Sequence, residues 1–383
     1  MTSATLRNAA PASAAELAEV VRGAAESGTS MRVRGRGSWL DAGRPVRADA
    51  SLSTAGLSGV TDYTPGDLTL TARAGTTLAE IARVTRAERQ WLTLDPAGGD
   101  ESTIGAVIAT ASAGTLAGAF GTPRDQALGL EVVTGAGAVI RTGGRVVKNV
   151  AGYDLTRLFT GSWGTLGVIT EVSIRLRSLP EVDMSVALDV DDEPAGLDAL
   201  LARIRAAAIA PAALELVNGA LARRLAVGSG ATLLVRLTGN AEAVRAQQAV
   251  LGALGPARAC STTAWDTLRA CEPGGAATLR LSRAPSRIGE LWRVARCAGG
   301  ETLVHASLVR GVVRCIVPSA DAAAVGALVA AAHPTRTTVI GERLPAPVWS
   351  DVPSRVADAL SMGVKQAYDP AGILNPGLLG GDA

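Results

Sequence analysis

Apolar residues recur every three or four positions through AAELAEVVRGAAES, residues 14–27. This spacing predicts an amphipathic helix that ends at Gly28. MRVR, residues 31–34, then reads as a short strand, and LTLTARAG, residues 68–75, alternates as a strand does. TTLAEIARVTRA returns to helical spacing with Thr76 or Thr77 as its cap, followed by the apolar WLTLDP. Short strands and helices continue to alternate up to GVITEVSIRLRSLP, so a first domain is expected over residues 1–180. The pattern restarts with DMSVALDV, GLDALLARIRAAA, ATLLVRLTG and AEAVRAQQAVLGAL, and continues through VVRCIVPS and a helix at 320–332. Residues 181–335 are therefore expected to form an α+β cap, an antiparallel sheet with helices on one face. The last segment, 336–383, offers a helix, a turn at Asp369-Pro370 and another at Asn375-Pro376-Gly377. No repeat of fixed period and no low-complexity tail is evident.

Composition supports the two-domain reading, because single cores rarely grow past about 250–300 residues and the chain has 383. The 37 Lys and Arg residues nearly balance 35 Asp and Glu, which argues against a field that would draw nucleic acid or anionic lipid. The opening MTSATLRNAAPASAAELAEV lacks the charged start and apolar run of a signal peptide, and no stretch of about 18 strongly apolar residues suggests a span. A cytoplasmic location is expected, with any membrane association arising through a complex. Cys260, Cys271, Cys297 and Cys315 form no C-x-x-C pair, so no metal or cluster site is expected, and core thiols are the simplest reading.

Two glycine-rich tracts bring in chemistry. In VRGRGSWLDAGRP, residues 33–45, a strand empties into Gly35-Arg36-Gly37-Ser38. The third glycine of a Rossmann fingerprint is missing, and Gly43 and Pro45 forbid a long helix after the turn. Successive free N–H groups could still cradle a pyrophosphate, with Arg34 or Arg36 adding charge, or the segment is a plain turn with solvated arginines. In DPAGGDESTIGAVIATASAGTLAGAFGTPRD, ten of the seventeen residues from 105 to 121 are Gly or Ala, which lets backbone approach a flat ligand. Asp100 or Ser102 could cap a helix starting near Thr103 and direct its free N–H groups at a phosphate. Tight helix packing without a ligand is the alternative.

The third tract, GRVVKNVAGYDLTRLFTGSWGTLGVITEVSIRLRSLP, carries a resemblance that the others join. Together with VRGRGS, DPAGGDESTIGAVIATASAG and the closing AYDPAGILNPG, it resembles the flavin domain of the vanillyl-alcohol oxidase and p-cresol methylhydroxylase (PCMH) superfamily. Within that superfamily the chain is most like the FAD-binding E subunits of bacterial glycolate oxidase. The resemblance implies an α+β fold: a PCMH-type FAD-binding domain of two α+β subdomains, a smaller ferredoxin-like cap, and a C-terminal segment returning to the FAD domain. It implies that Gly35, Arg36, Gly37, Ser38 and Trp39 grip the pyrophosphate with Ser102, Thr103, Ile104 and Gly105, beside Pro96 and Gly98. It further implies that Ala111, Ser112, Ala113 and Gly114, with Phe120, Gly121 and Arg124, run along the ribityl and isoalloxazine. The turn at Gly164 would lead Gly167, Val168 and Ile169 to the adenine, and Asn375 would return toward the ring.

Oxidation of an alcohol by flavin needs a base for the hydroxyl proton and cations for a substrate carboxylate. The only histidines are His305 and His333, and neither lies in the H-x-G-D-G-N-x-H pattern of catalytic 2-hydroxy-acid dehydrogenases. His305 is a base or a structural histidine, and His333 ends a helix. Tyr153 is a candidate near the flavin or a ring packed on the sheet; Arg157 holds a carboxylate or lines a solvated helix face. No histidine precedes residue 305 and no cysteine precedes 260, so the FAD is expected to be noncovalent. The leading expectation is an FAD-binding oxidoreductase subunit acting on glycolate or a related 2-hydroxy acid, beside a catalytic flavoprotein subunit and an iron–sulfur subunit. The rivals are a stand-alone FAD-dependent dehydrogenase or oxidase of another alcohol or hydroxy acid, and a non-catalytic flavin-binding scaffold.

Overall fold

A computed structural model describes residues 8–144, 153–356 and 358–380. The chain divides into two compact units. One comprises Met1–Ala113, Gly121–Leu179 and Ser354–Ala383; the other comprises Gly114–Phe120 and Pro180–Pro353.

In the first unit, helix α1 (Ala14–Ser27) begins where the Ser13 side chain accepts the N–H of Glu16 and ends on Gly28 in the left-handed region, at φ 65°. Its apolar face, Leu17, Val21 and Ala24, is buried against Met31 and Leu52 of a small parallel sheet, β1 (Met31–Arg34) and β2 (Ala50–Ser53), and against Val133 and Val168. Burying each large aliphatic side chain contributes roughly 1.5–3 kcal/mol.

Next come β3 (Val60–Thr64), β4 (Thr69–Arg73), α2 (Leu78–Ala87), α3 (Ile104–Thr110), β5 (Ala127–Thr134), β6 (Val139–Gly143) and β7 (Gly167–Arg175). The five strands form an antiparallel sheet in the order β3-β4-β7-β5-β6. Alternate residues Leu70, Ala72, Val132, Val172 and Ile174 share a core with Ile81 of α2 and with Ile104 and Ile108 of α3. Val133 and Val168 face the other way and join α1. The unit thus combines a small parallel sheet with α1 and a five-stranded antiparallel sheet with α2 and α3, in keeping with the two α+β subdomains expected.

The second unit is built on an eight-stranded sheet. Its elements are β8 (Val182–Asp189), α4 (Pro194–Ala206), β9 (Ala213–Val217), α5 (Gly219–Arg224), β10 (Thr232–Gly239), α6 (Ala241–Leu254), β11 (Ala257–Cys260), α7 (Thr263–Arg269), β12 (Ala277–Ser282), α8 (Ile288–Ala295), β13 (Leu303–Ser307), β14 (Val312–Val317), α9 (Ala322–Ala332) and β15 (Thr338–Arg343). The strand order is β11-β8-β10-β9-β13-β14-β12-β15, antiparallel throughout. Each half is a βαββαβ unit with its first and third strands central, and the halves join through β9 and β13. A ferredoxin-like cap was expected; the structure shows that motif twice.

Two further expectations change here. Helices α4, α6, α8 and α9 cover one face of the sheet, but α5 and α7 cover the opposite face of the first half, where Leu221, Trp265 and Leu268 meet Ala187, Val217 and Leu234. Trp265 Nε1 donates to Ser185 Oγ there at 2.8 Å. The second change is at the C-terminal boundary: β15 pairs with β12 from Ser282↔Thr338 to Thr278↔Arg343, so the chain re-enters the first unit at Ser354 rather than at 336.

On the second half the face bearing Arg314 is polar. Arg314 donates through Nε and Nη2 to Glu342 Oε2 at 3.0 and 2.7 Å and through Nη2 to Glu272 Oε1 at 2.8 Å. Arg343 completes the cluster at 2.9 Å from Glu272 Oε2. Burial alone would raise the Glu342 carboxyl, but the guanidiniums of Arg314 and Arg280 outweigh it and bring it to about 2. Its folded-state value therefore lies below that of an unfolded glutamate, at about 4.3. The resulting stabilisation is complete above about pH 4.3 and is lost as pH falls toward 2. Acid titration followed by tryptophan fluorescence should show this loss, and Glu342→Gln should flatten it; a variant with the wild-type acid slope would rule the pair out as its source.

Candidate functional site

A cleft in the first unit encloses about 650 Å³, counting space open to solvent. Three tracts that are distant in sequence form it: the end of β1 with the loop after it, the small face of α3, and the turn leading into β7. The loop contributes Gly35, Gly37, Ser38 and Trp39; the helix contributes Gly105, Ala106, Ala109 and Thr110; the turn and strand contribute Trp163, Gly164, Gly167, Val168 and Ile169. Asn375 and Leu378 line it from the C-terminal segment.

Close backbone approach explains the glycines. A Cβ on Gly35 would stand 2.5 Å from Thr103 Oγ1, and one on Gly105 would stand 2.6 Å from the Ala74 Cβ. Gly37, at φ 96°, is in a region where L residues are strained. The backbone N–H groups of Gly35, Arg36 and Gly37 donate to no other described residue, which leaves three successive donors at the mouth of a strand. Such a nest suits an anion.

Strand β7 outruns its neighbour. Its ladder with β4 begins at Glu171, whereas on the other side Gly167, Val168 and Ile169 pair with Thr134, Val133 and Val132 of β5. Main-chain groups of residues 167–169 are consequently open along one edge of the cleft. An anion nest at one end, small residues along the floor and a free strand edge at the other fit a dinucleotide with a flat ring system. Gly35, Gly37, Ser38, Val168 and Ile169 are the residues that would hold it.

The helix does not play the part expected of it. Thr103, rather than Asp100 or Ser102, caps α3, its Oγ1 accepting the Ala106 N–H at 3.4 Å. The first amides are taken: Ile104 N–H donates to Thr76 O and Gly105 N–H to Ala74 O, each at 2.9 Å. These groups cannot point at a phosphate, so α3 supplies surface and the 35–37 loop supplies donors. Ser102 stays close by, with its Oγ 3.4 Å from Ser38 Oγ, and Gly98 faces Ser102. Pro96 lies in the same loop, while Ile104 points into the core.

Ala111 ends α3 in the left-handed region, at φ 50°, and a Cβ on Gly161 would stand 3.3 Å from it. Arg124 Nη2 donates to Thr160 O at 3.1 Å, so the Arg124 side chain, Gly161 and Ala111 are neighbours. Ser112 is buried, Ala113 closes the first piece of this unit, and Gly121 opens the next at φ 91°. Gly114 and Phe120 belong to the second unit. Arg34 is engaged with Ser51 Oγ at 3.0 Å. Arg36, half exposed, is 3.7 Å from Glu101 and remains available to an anion at the surface.

Residues 145–152, which hold most of KNVAGYDL, lie outside the described residues. Tyr153 is 93 % exposed, so its ring is not packed on the sheet. Arg157 pairs with Asp154 one helical turn away, at 3.2 Å, both largely exposed. His305, in the second unit, has its Nδ1 2.9 Å from Oε2 of the buried Glu215, whose Oε1 has no hydrogen-bond partner among the described residues. His333 is the C-cap of α9. Sequence reasoning missed Ala106, Ala109, Thr110 and Trp163 as lining residues. A period-3.6 reading of the Gly/Ala run would have placed Gly105, Ala106, Ala109 and Thr110 on one face.

Among the described residues, no cluster of His, Cys, Asp and Glu suits a metal ion, and no helix is long and apolar enough to cross a membrane. Burial pushes the Cys271 thiol up to about 11 and Cys315 to about 12, as for inert core thiols.

Residues 7–143 match the family model described as FAD binding domain. The chain is 38 % identical over 175 residues to glycolate oxidase subunit GlcE of Escherichia coli (strain K12), covering 45 % of this chain and 50 % of that protein. It is 33 % identical over 210 residues to glycolate oxidase subunit GlcD of Bacillus subtilis (strain 168), covering 55 % and 44 %. It thus spans half or less of the length of these relatives. Among solved structures, p-cresol methylhydroxylase with substrate bound superposes with a TM-score of 0.76 at 15 % identity, over 98 % of this chain and 88 % of that one. The 4-ethylphenol oxidase of Gulosibacter chungangensis gives 0.71 at 16 %, over 97 % and 88 %. The fold is that of the PCMH-type flavoproteins.

Proposed function

We propose that this chain, whose residues 7–143 are an FAD binding domain, is an FAD-dependent oxidoreductase subunit that acts in the oxidation of glycolate or a related 2-hydroxy acid and exchanges electrons with partner subunits. The observation that carries this reading is the cleft itself, in which Gly35 and Gly37 of the loop after β1, the small face of α3 and the open edge of residues 167–169 converge. Bound there, the flavin supplies the hydride acceptor for alcohol oxidation. The chain's own part is to hold an anionic dinucleotide by main-chain groups and to shield it with Trp39, Trp163 and Leu378. The glycolate oxidase subunits among its relatives support the substrate class and an assembly of several subunits; a catalytic flavoprotein and an iron–sulfur chain are the partners this reading assigns.

The flavin is held noncovalently, since no histidine precedes residue 305 and no cysteine precedes 260. Acid precipitation of the purified yellow protein should release FAD into the supernatant; colour retained in the pellet would refute this attachment. Co-purification from the native host tests the assembly, with a flavoprotein and an iron–sulfur chain as the expected companions. Turnover of a 2-hydroxy acid by the isolated chain would instead select a stand-alone dehydrogenase.

A further inference from the structure

The C-terminal segment grips both walls of the cleft. Asn375 is 2 % exposed, and its side chain is committed to backbone: Oδ1 accepts the Val33 N–H at 2.8 Å and Nδ2 donates to Trp163 O at 2.9 Å. Val33 leads into the 35–37 loop, and Trp163 leads through Gly164 into the open edge at 167–169. A single amide therefore fixes the spacing between the anion nest and the strand edge. Main-chain bonds extend the grip, from Met31 N–H to Ile373 O at 2.7 Å and from Asn375 N–H to Met31 O at 2.9 Å. Upstream, Lys365 Nζ donates to Thr165 O at 2.8 Å and Leu374 O at 3.2 Å and pairs with Asp369. The Asp369 carboxylate in turn accepts the N–H groups of Ile373 and Leu374 at 3.2 and 2.9 Å. The turn at residues 163–165 is thus held at two points by one strap.

We propose that residues 365–378 are a latch on the cofactor site, in which Asn375 is a positioning residue and strap docking is coupled to FAD binding. The inference rests on the FAD reading and gives Asn375, which was expected to return toward the flavin ring and lines the cleft, a role through the two loops it joins. Undocking leaves a part-buried N–H at Val33 and a buried carbonyl at Trp163 without these partners, and such groups are costly, so the two loops must rearrange. A cofactor that needs both loops in register binds the docked form better and, by linkage, holds the strap down.

Asn375 sits at φ 44°, where glycine is comfortable, so Asn375→Gly removes the amide without adding backbone strain. Titration of apoprotein with FAD, followed by flavin fluorescence, should show affinity reduced about ten- to hundred-fold, the loss of one to two buried hydrogen bonds. Asn375→Asp, which keeps the acceptor for Val33 but turns a buried carboxylate oxygen toward the Trp163 carbonyl, should bind FAD at least as weakly as Asn375→Gly. Leu360→Ser, on the exposed side of the C-terminal helix, Ala359–Tyr368, should bind as the wild type does. In the wild type, FAD should slow hydrogen exchange across residues 359–380, a readout that needs no variant and that a purely structural clip would not produce. Wild-type affinity in Asn375→Gly, or tail exchange indifferent to FAD in the wild type, overturns the latch and leaves the FAD reading standing. A wild-type protein that takes up no FAD overturns both.

Discussion

Gly105→Ala should yield a folded protein that has lost most of its flavin. The added Cβ would stand 2.6 Å from the Ala74 Cβ and 2.8 Å from the Ala74 carbonyl, and neither can retreat easily. Ala74 O already accepts the Gly105 N–H, and Ala74 N–H donates to Thr170 O at 2.8 Å, which locks that residue to β7. The strain must be relieved by moving α3 outward, and Ala106 and Ala109 then shift along the floor of the cleft. Overpacking of this kind costs about 1–3 kcal/mol of stability. A comparable loss in binding corresponds to roughly a ten- to hundred-fold weaker Kd. Thermal unfolding and FAD titration measure the two separately. Gly99→Ala, where an added Cβ meets nothing within 4 Å, is the matched control, and an unchanged Kd in Gly105→Ala would show that the helix-to-strand distance does not set the width of the cleft.

The largest stability effect is expected at the other unit. Arg314→Met should destabilise it by about 3–5 kcal/mol, because removing one member of a buried ion cluster leaves uncompensated charge. Glu342 and Glu272 both depend on this guanidinium. Adding Glu342→Gln to Arg314→Met should restore part of the loss, since one orphaned carboxylate is then neutral. Urea unfolding of the single and double variants supplies the comparison; a double variant less stable than Arg314→Met would mean that the cluster's value lies in packing rather than charge.

The first unit was legible in sequence wherever local rules act alone. Ser13 and Thr77 are cap residues at the expected starts of α1 and α2, and Gly28 stops α1 as read. The glycine tracts announced close backbone approach, and the structure brings the 35–38, 105–110 and 164–169 segments to one cleft. The source of the free donors was not legible. Asp100 and Ser102 are good capping residues by type, but Thr76 and Ala74 occupy the first amides of α3, and such long-range pairing leaves no mark in a local pattern. Asn375 was placed at the cleft by resemblance, yet its partners, Val33 and Trp163, lie 342 and 212 residues away. The duplication in the second unit was hidden for a different reason. Alternating apolar residues can be replaced one for another while the strand order survives, so two halves can share a topology without a repeat of fixed period in the sequence.

That duplication bears on self-association. In a lone βαββαβ motif of this order the second and fourth strands are bare flanks, open to a stranger's backbone. Here β9 and β13, the second strand of each half, zip together through Glu215↔Ser307, Leu216↔Ala306 and Val217↔His305, which removes two of four hazards at once. Of the two that remain, β11 is only four residues long, and its Arg258 is tied to the Asp189 carboxylate. A brief margin carrying charge is a poor template for runaway strand addition.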